Sequence, residues 1–172
     1  MQKIKWGIIG PGSIATGFAH SVEHCQNSEL TGVFGRTKEK ANDFAKLFNI
    51  QSFASLQDFL SSEEIDAVYV ATPHSDHFIY ALEAIKHHKH VLCEKPLTMN
   101  AHESMILLDL AQSLKVFLME AYMYRAHPQT LNILNQLSIF NEINEKILIE
   151  GSFGFQAEVS SDHRLRNPLL GG

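Results

Sequence analysis

Short apolar runs alternate with amphipathic stretches along most of the chain. The runs are typical of β-strands, and they cover residues 4–9, 30–34, 51–53, 67–71, 90–93 and 116–119. The run at 67–71 is apolar throughout, which is typical of a strand covered on both faces, as in a parallel sheet. The pattern therefore predicts a mostly parallel sheet of six strands.

Between the strands, apolar residues recur at helical spacing, as Ile14, Phe18 and Val22 do. This spacing predicts helices over residues 13–22, 38–48, 55–60, 76–88 and 101–114. Ser55 and Asn100 stand where two of these helices need an N-cap. Strands that alternate with helices predict a doubly wound α/β domain over residues 1–121.

Residues 122–172 have a different pattern. We predict one helix over 128–137 and one long, partly alternating strand over 146–155. One helix and one strand do not make a domain, because a single strand leaves two unpaired edges. We therefore predict that this part is the start of an incomplete α+β second domain.

Composition and charge exclude several classes of protein. The chain has 172 residues, of which 45% are hydrophobic and 19% charged, and this is globular rather than disordered. A net charge of −5 gives no general attraction to nucleic acid. No apolar run approaches the ~20 residues that span a bilayer, so we expect no membrane segment. A strand-like run begins at Ile4, so we expect no signal peptide. Cys25 and Cys93 cannot form a disulfide framework, which favours a reducing, cytoplasmic location.

A glycine-rich segment at residues 10–15 follows the first strand and opens the first helix. Gly10, Gly12 and Ala15 give the G-x-G-x-x-A pattern of a dinucleotide-binding Rossmann fold. Gly10 permits a tight turn, Gly12 lets a pyrophosphate approach the backbone, and Ala15 lets the helix pack closely. The helix N-terminus, with Ser13 and Ile14, offers N–H groups to the phosphates. The alternative is a glycine-rich turn that binds nothing.

The end of the second strand bears on the choice of cofactor. An NAD-specific site usually has an acidic residue here, which binds the ribose 2′-hydroxyl. This chain has Arg36 instead, with Thr37 and Lys40 close by. Arginine pairs well with a 2′-phosphate, so we predict NADP as the preferred cofactor, with NAD still possible. The alternative is a solvated cluster of charges at the start of a helix.

Four segments resemble the Gfo/Idh/MocA oxidoreductases, the relatives of glucose–fructose oxidoreductase and inositol dehydrogenase. They are residues 10–15, 71–74, 93–97 and 119–128. The Glu-Lys-Pro element at 94–96 is specific when it precedes a Met-Glu-Ala element, here 119–121, by one strand. The run at 117–121 is similar to the branch that holds dimeric dihydrodiol dehydrogenase and NADP-dependent xylose dehydrogenase. The resemblance covers essentially the whole chain.

This resemblance implies an enzyme that transfers a hydride between a nicotinamide cofactor and a sugar, a polyol or a related small hydroxy compound. It makes Lys95 the catalytic residue, since an ammonium group can stabilise an alkoxide or polarise a carbonyl. It also implies a cis peptide bond before Pro96. The residues that it places on the cofactor side are Thr72, Pro73, His74, His77, Glu94, Lys95 and Arg125.

The chain departs from the family in its second domain. In the family this domain is a large sheet that covers the cofactor and forms the dimer face, and residues 146–155 resemble only its first strand. A later Asp and a later His or Tyr, which the resemblance makes the proton donor or acceptor, are absent. We expect a fragment of an enzyme, although a natural short form that binds dinucleotide without catalysis is the alternative. A Rossmann domain for another nucleotide is a third interpretation. The unpaired strand could join two copies into a homodimer.

Three weaker features complete the sequence-based predictions. His74 and His77 have the spacing of a helical metal pair, but no third ligand is evident, and we predict no metal site. Cys93 is predicted to be a buried apolar residue rather than a nucleophile. Phe117 is predicted to belong to the core.

Overall fold

The computed structural model describes residues 3–142, 150, 152 and 154. Most of the predicted strand over 146–155 lies outside the described residues, and so does the pairing of two copies through it. The strands are β1 (Ile4–Ile9), β2 (Ser28–Phe34), β3 (Gln51–Ser52), β4 (Ala67–Val70), β5 (His90–Glu94) and β6 (Leu118–Ala121). The helices are α1 (Ser13–Glu23), α2 (Lys38–Phe48), α3 (Leu56–Ser61), α4 (His74–Lys86), α5 (Ala101–Leu114) and α6 (Pro128–Glu142), with a 3₁₀ helix at Met123–Ala126.

The six strands form one parallel sheet in the order β3-β2-β1-β4-β5-β6. The direction of winding reverses between β1 and β4, which pair with each other. In doubly wound sheets, ligands bind in the crevice that opens beyond the carboxyl ends of the strands at such a reversal. The α/β prediction is confirmed, and the topology indicates where a site should lie.

The core lies in two layers, one on each face of the sheet. Val68 and Val70 face the layer under α3, α4 and α5. Tyr69, between them, faces the layer under α1 and α2. All four residues of β4 are buried, which confirms that this apolar strand is covered on both faces. Burial on both faces makes β4 the central support of the crevice.

Helix ends follow the predicted capping residues. The Ser55 side chain accepts a hydrogen bond from the Asp58 N–H, and the Asn100 side chain accepts one from the Glu103 N–H. Helix α4 begins at His74, two residues before the predicted start, because Pro73 supplies its N-cap with extended backbone. Both His74 and His77 therefore lie in the first turns of α4.

Strand β6 begins two residues later than the pattern predicts. Lys115 caps the C-terminus of α5 in the left-handed conformation (φ 56°), and the Val116 N–H donates a hydrogen bond to the Ala111 carbonyl. Val116 therefore belongs to the helix cap rather than to the sheet. Phe117 precedes the strand and is 63% exposed, so the prediction that it is a core residue is wrong. The shift places Glu120 and Ala121 inside β6, paired with Cys93 and Glu94.

Among the described residues, no helix has the length and apolar character needed to cross a membrane.

Candidate functional site

Two cavities lie side by side at the carboxyl edge of the sheet. The smaller, of about 200 Å³, has Arg36 in its wall and is called the arginine cavity. The larger, of about 610 Å³, has Lys95 in its wall and is called the lysine cavity. Gly12, Thr72 and Pro73 line both cavities. The two cavities therefore form one elongated groove across the reversal between β1 and β4.

The glycine loop separates the two ends of this groove. Gly10 has φ +96°, and a Cβ there would lie 2.8 Å from the Ala71 carbonyl oxygen. A Cβ at Gly12 would meet nothing within 4 Å, so the backbone there borders open space. Gly12 is the N-cap of α1, where no side chain caps the helix and the first turn has no acidic residue. The N–H groups and the positive end of the helix dipole are therefore directed at the groove, as in an anion site.

Ala15 fulfils the packing role that the motif assigns to it. Its side chain is fully buried against the sheet. A larger residue would push α1 away from β1, so the close approach of the helix N-terminus to the groove depends on this small side chain.

The arginine cavity collects positive charge. Arg36, Thr37 and Lys40 all line it, as predicted from the end of β2. Arg36 Nη1 lies 3.4 Å from Asp76 Oδ2, an oxygen that is buried and accepts no hydrogen bond from the described residues. Burial, and after it the Asp76 carboxylate, raises the pKa of Tyr80 in the same wall. The sequence analysis did not predict Asp76 as part of this site.

Thr72 presents an unsatisfied hydroxyl between the two cavities. Its Oγ1 is buried and has no hydrogen-bond partner in the described part of the chain. Buried polar atoms are nearly always hydrogen-bonded, so an unpaired one in a cavity wall points to a ligand group. Pro73 and His74 continue this wall into the lysine cavity.

Lys95 and Glu94 stand at the end of β5 in the wall of the lysine cavity. The Tyr69 hydroxyl donates a 2.8 Å hydrogen bond to Glu94 Oε1, and the Lys95 N–H lies 3.2 Å from Glu94 Oε2. Burial and the bond to Glu94 raise the pKa of Tyr69. The peptide bond between Lys95 and Pro96 is cis, as the resemblance implies.

His77, which the family resemblance places on the cofactor side, does not line either cavity. Its ring is fully buried, with Nδ1 2.8 Å from the Pro96 carbonyl oxygen and Nε2 3.0 Å from the Thr72 carbonyl oxygen. Because both ring nitrogens face backbone carbonyls, His77 is not disposed to share a metal ion with His74. The part of the chain that the structure describes holds no group of three or more potential metal ligands from His, Cys, Asp and Glu.

Arg125 lies apart from Lys95. It belongs to the 3₁₀ helix and lines a third cavity, of about 590 Å³, that opens towards α1. That cavity shares Ser13, Ile14 and Glu94 with the lysine cavity. Arg125 therefore adjoins the predicted site without lining either end of the groove.

Glu120 is a further residue that the sequence analysis left without a role. Its Oε1 accepts a 2.8 Å hydrogen bond from the Leu97 N–H. The available signal was its place in the Met-Glu-Ala element. No sequence motif indicates a role for Asp76 or Tyr69. Asp76 has the pattern of an ordinary acidic residue at the start of a helix, and Tyr69 that of an apolar strand residue. Cys93 is fully buried, as predicted, and burial raises the pKa of its thiol.

Comparison with known proteins identifies the family. The sequence model described as "Oxidoreductase family, NAD-binding Rossmann fold" matches residues 4–122. This chain belongs to the Gfo/Idh/MocA oxidoreductase family. The resemblance drawn from the glycine, Glu-Lys-Pro and Met-Glu-Ala elements is confirmed.

The alignments with named relatives include most of this chain but less than half of each relative. Glucose-6-phosphate 3-dehydrogenase of Bacillus subtilis is 37% identical over 153 residues, which is 89% of this chain and 42% of that protein. D-xylose 1-dehydrogenase (NADP(+)) of Hypocrea jecorina is 31% identical over 193 residues, 98% of this chain and 48% of that protein. KijD10, a 3-ketoreductase from Actinomadura kijaniata solved with NADP and TDP-benzene, superimposes with a TM-score of 0.75 at 30% identity, over 80% of this chain and 43% of that one. The chain thus spans less than half the length of these relatives.

Proposed function

We propose that this chain is the cofactor-binding part of an NADP-preferring oxidoreductase that transfers a hydride between nicotinamide and a sugar, a polyol or a related hydroxy compound. The observation that carries this proposal is the groove, with Arg36 in one end, Lys95 in the other and the N-terminus of α1 between them. The two ends of the groove would hold the two halves of a dinucleotide. The names of the sugar dehydrogenases among the relatives support the class of substrate.

The groups along the groove fit NADP chemically. The uncapped N-terminus of α1 suits the pyrophosphate, because its N–H groups are available to an anion. Arg36 and Lys40 would hold the 2′-phosphate, and no carboxylate ends β2 to bind a free 2′-hydroxyl. The unpaired Thr72 hydroxyl suits a polar group of the cofactor where the two cavities meet.

Lys95 would carry the catalytic charge. When bound, the nicotinamide ring supplies or accepts the hydride, and the protein supplies orientation and electrostatics. The Lys95 ammonium in the lysine cavity would stabilise negative charge as it develops on the substrate oxygen. Glu94, held by the Tyr69 hydroxyl, would fix the backbone from which Lys95 projects.

The test is a titration of this chain with NADPH and, separately, with NADH, followed by thermal unfolding and calorimetry. NADPH at about 100 times its Kd is expected to stabilise the fold by roughly 2.7 kcal/mol, and NADH less at equal concentration. Arg36→Ala is expected to weaken NADPH binding about tenfold and NADH binding little, since it removes a charged partner of the 2′-phosphate.

Two results would contradict the proposal. Equal stabilisation by ADP and by NADPH would indicate a site for adenine nucleotides in general. No stabilisation by either nicotinamide nucleotide would show that the groove does not bind the cofactor.

A further inference from the structure

The Lys95 loop, residues 94–97, is bonded to side chains that come from three neighbouring elements. Tyr69 of β4 holds Glu94, which faces the Lys95 N–H. His77 of α4 faces the Pro96 carbonyl. Glu120 of β6 accepts the Leu97 N–H. The peptide group before Lys95 and the peptide group after Pro96 therefore each have side-chain partners.

Carboxylates meet both N–H groups of the loop that flank Pro96. Proline has no N–H, so Lys95 and Leu97 carry the donors on either side of it. Glu94 lies 3.2 Å from the first donor and Glu120 lies 2.8 Å from the second. Hydrogen bonds to ionised acceptors are shorter and stronger than neutral ones, and the Glu120 bond has the length typical of that class.

Side chains from both faces of the sheet contact the Lys95 loop. Tyr69 belongs to the layer under α1 and α2. Glu120 pairs in register with Cys93, which belongs to the opposite layer under α4 and α5. His77 approaches from that second layer and also faces the Thr72 carbonyl, 3.0 Å from Nε2. His77 therefore connects the Lys95 loop with Thr72, which lines both cavities.

We propose that Glu120 and His77 are positioning residues that hold Lys95 at the lysine cavity, acting through the Leu97 N–H and the Pro96 carbonyl. The inference rests on the proposed function, because it concerns how the Lys95 ammonium is presented to the cofactor. Neither residue lines either cavity, so neither is placed to contact the cofactor directly. A misplacement of about 1 Å in a reacting group can cost on the order of 100-fold in rate, so fixing the loop matters to the chemistry.

The first measurement is the amide hydrogen exchange of Leu97. Its N–H is expected to be protected in the parent chain and to exchange at least about tenfold faster in Glu120→Ala, since the acceptor is lost. Glu120→Gln keeps a side chain of the same length with an oxygen acceptor, and it is expected to restore most of the protection. An unchanged exchange rate in Glu120→Ala would overturn the contact on which the inference depends.

The second measurement is a double-mutant cycle on NADPH affinity. Lys95→Ala is expected to weaken binding about tenfold in the parent chain, the size of one hydrogen bond to a charged group. In Glu120→Ala, the same Lys95→Ala change is expected to cost less than about threefold, because Lys95 is no longer held in place. In Glu120→Gln the full effect of Lys95→Ala is expected to return.

Matched controls separate positioning from general destabilisation. Arg36→Ala is expected to cost the same in the parent and in Glu120→Ala, because Arg36 lies in the other cavity. Glu23→Ala, an exposed acid in the last turn of α1, is expected to leave the effect of Lys95→Ala unchanged. If Glu120→Ala does not fold, Glu120→Asp takes its place, since it keeps the charge but shortens the side chain by one methylene.

His77 is tested in the same way. His77→Ala is expected to reduce the effect of Lys95→Ala on NADPH binding, and His77→Gln, whose amide can donate to the Pro96 carbonyl, is expected to restore part of it. If the parent chain binds no NADPH, the proposed function fails and this inference fails with it. If the parent binds NADPH and Lys95→Ala costs the same in every background, only the positioning role is overturned.

Discussion

Asp76 places a carboxylate against the arginine that the 2′-phosphate is expected to meet. Its Oδ2 lies 3.4 Å from Arg36 Nη1, and the Asp76 side chain is largely buried while Arg36 is exposed. The carboxylate and a bound phosphate would compete for the same guanidinium, and they would repel each other. Asp76 is therefore expected to reduce the preference for NADP that we propose for Arg36.

Asp76→Asn is expected to strengthen NADPH binding about three- to tenfold and to change NADH binding little, because the amide removes that repulsion. Calorimetric titration at low and high salt measures the effect, which should shrink as salt screens these groups. Asp43→Asn, an exposed acid of α2, is the matched control for the loss of one negative charge. An equal gain with both cofactors, or in the control, would contradict this account of Asp76.

Tyr69 connects the core to the site. It is buried in β4 and donates to Glu94, and both burial and that bond raise its pKa. A tyrosine in the unfolded chain ionises near pH ~10. The folded chain retains a proton that the unfolded chain releases, so this contribution to stability is complete below about pH 10 and falls as the pH rises above it.

Tyr69→Phe is expected to lower the free energy of unfolding by about 1–3 kcal/mol near neutral pH, because Glu94 loses its donor. The difference between the variant and the parent should narrow as the pH rises above about 10, where only the parent loses the Tyr69 contribution. Urea unfolding at each pH measures it. Tyr124→Phe, which changes an exposed ring, should leave the alkaline loss intact. A constant difference across this range would argue against the linkage.

At the scale of elements, the two glycines of the loop between β1 and α1 have different roles. The backbone conformation requires Gly10, because its φ is +96° and a Cβ there would lie 2.8 Å from the Ala71 carbonyl oxygen. At Gly12 a Cβ would enter open space beside the helix N-terminus, where we propose that the phosphates bind. The same amino acid thus has a structural role at one position and a proposed binding role two residues later.

Gly10→Ala and Gly12→Ala are expected to have opposite profiles. Gly10→Ala should lower the free energy of unfolding by about 1–3 kcal/mol, the range for a strained backbone position. Gly12→Ala should cost less stability but weaken NADPH binding at least about tenfold, because the methyl group occupies the approach of the phosphate. Thermal unfolding and calorimetry on the same samples separate the two effects. A loss of stability in Gly12→Ala as large as in Gly10→Ala would contradict this division.

The helix-to-strand junctions show where the sequence pattern stops being sufficient. Ser55 and Asn100 were identifiable as caps because their oxygens need only a partner three residues away. The start of β6 was not, because Val116 and Phe117 are as apolar as the residues of the strand. The left-handed turn at Lys115 decided that Val116 completes the cap of α5.

At the scale of the whole molecule, the site gathers groups from the carboxyl ends of several strands. The chain carries a net charge of −5, yet Arg36, Lys40 and Lys95 line one groove. Overall charge therefore gave no indication of an anion site, whereas the parallel topology did, since it brings the loops after β1, β2, β4 and β5 to one edge.

The sequence by itself determined the succession of strands and helices along the chain, the two-sided burial of β4 and the glycine loop. It also determined that Arg36 and Lys95 follow the ends of β2 and β5. These features depend on local periodicity, on backbone geometry at glycine, and on position relative to strand ends. Such signals are contained in a few neighbouring residues, and the family resemblance added the role that we propose for Lys95.

The tertiary structure alone decided which side chains support the site. His77 and Pro96 are 19 residues apart, and Glu120 and Leu97 are 23 apart. Whether such pairs meet depends on how α4 packs against the sheet and on the register of β5 with β6, and a shift of one residue would turn Glu120 to the other face. Sequence patterns predict the elements that carry these residues, but packing and register decide which backbone groups they reach.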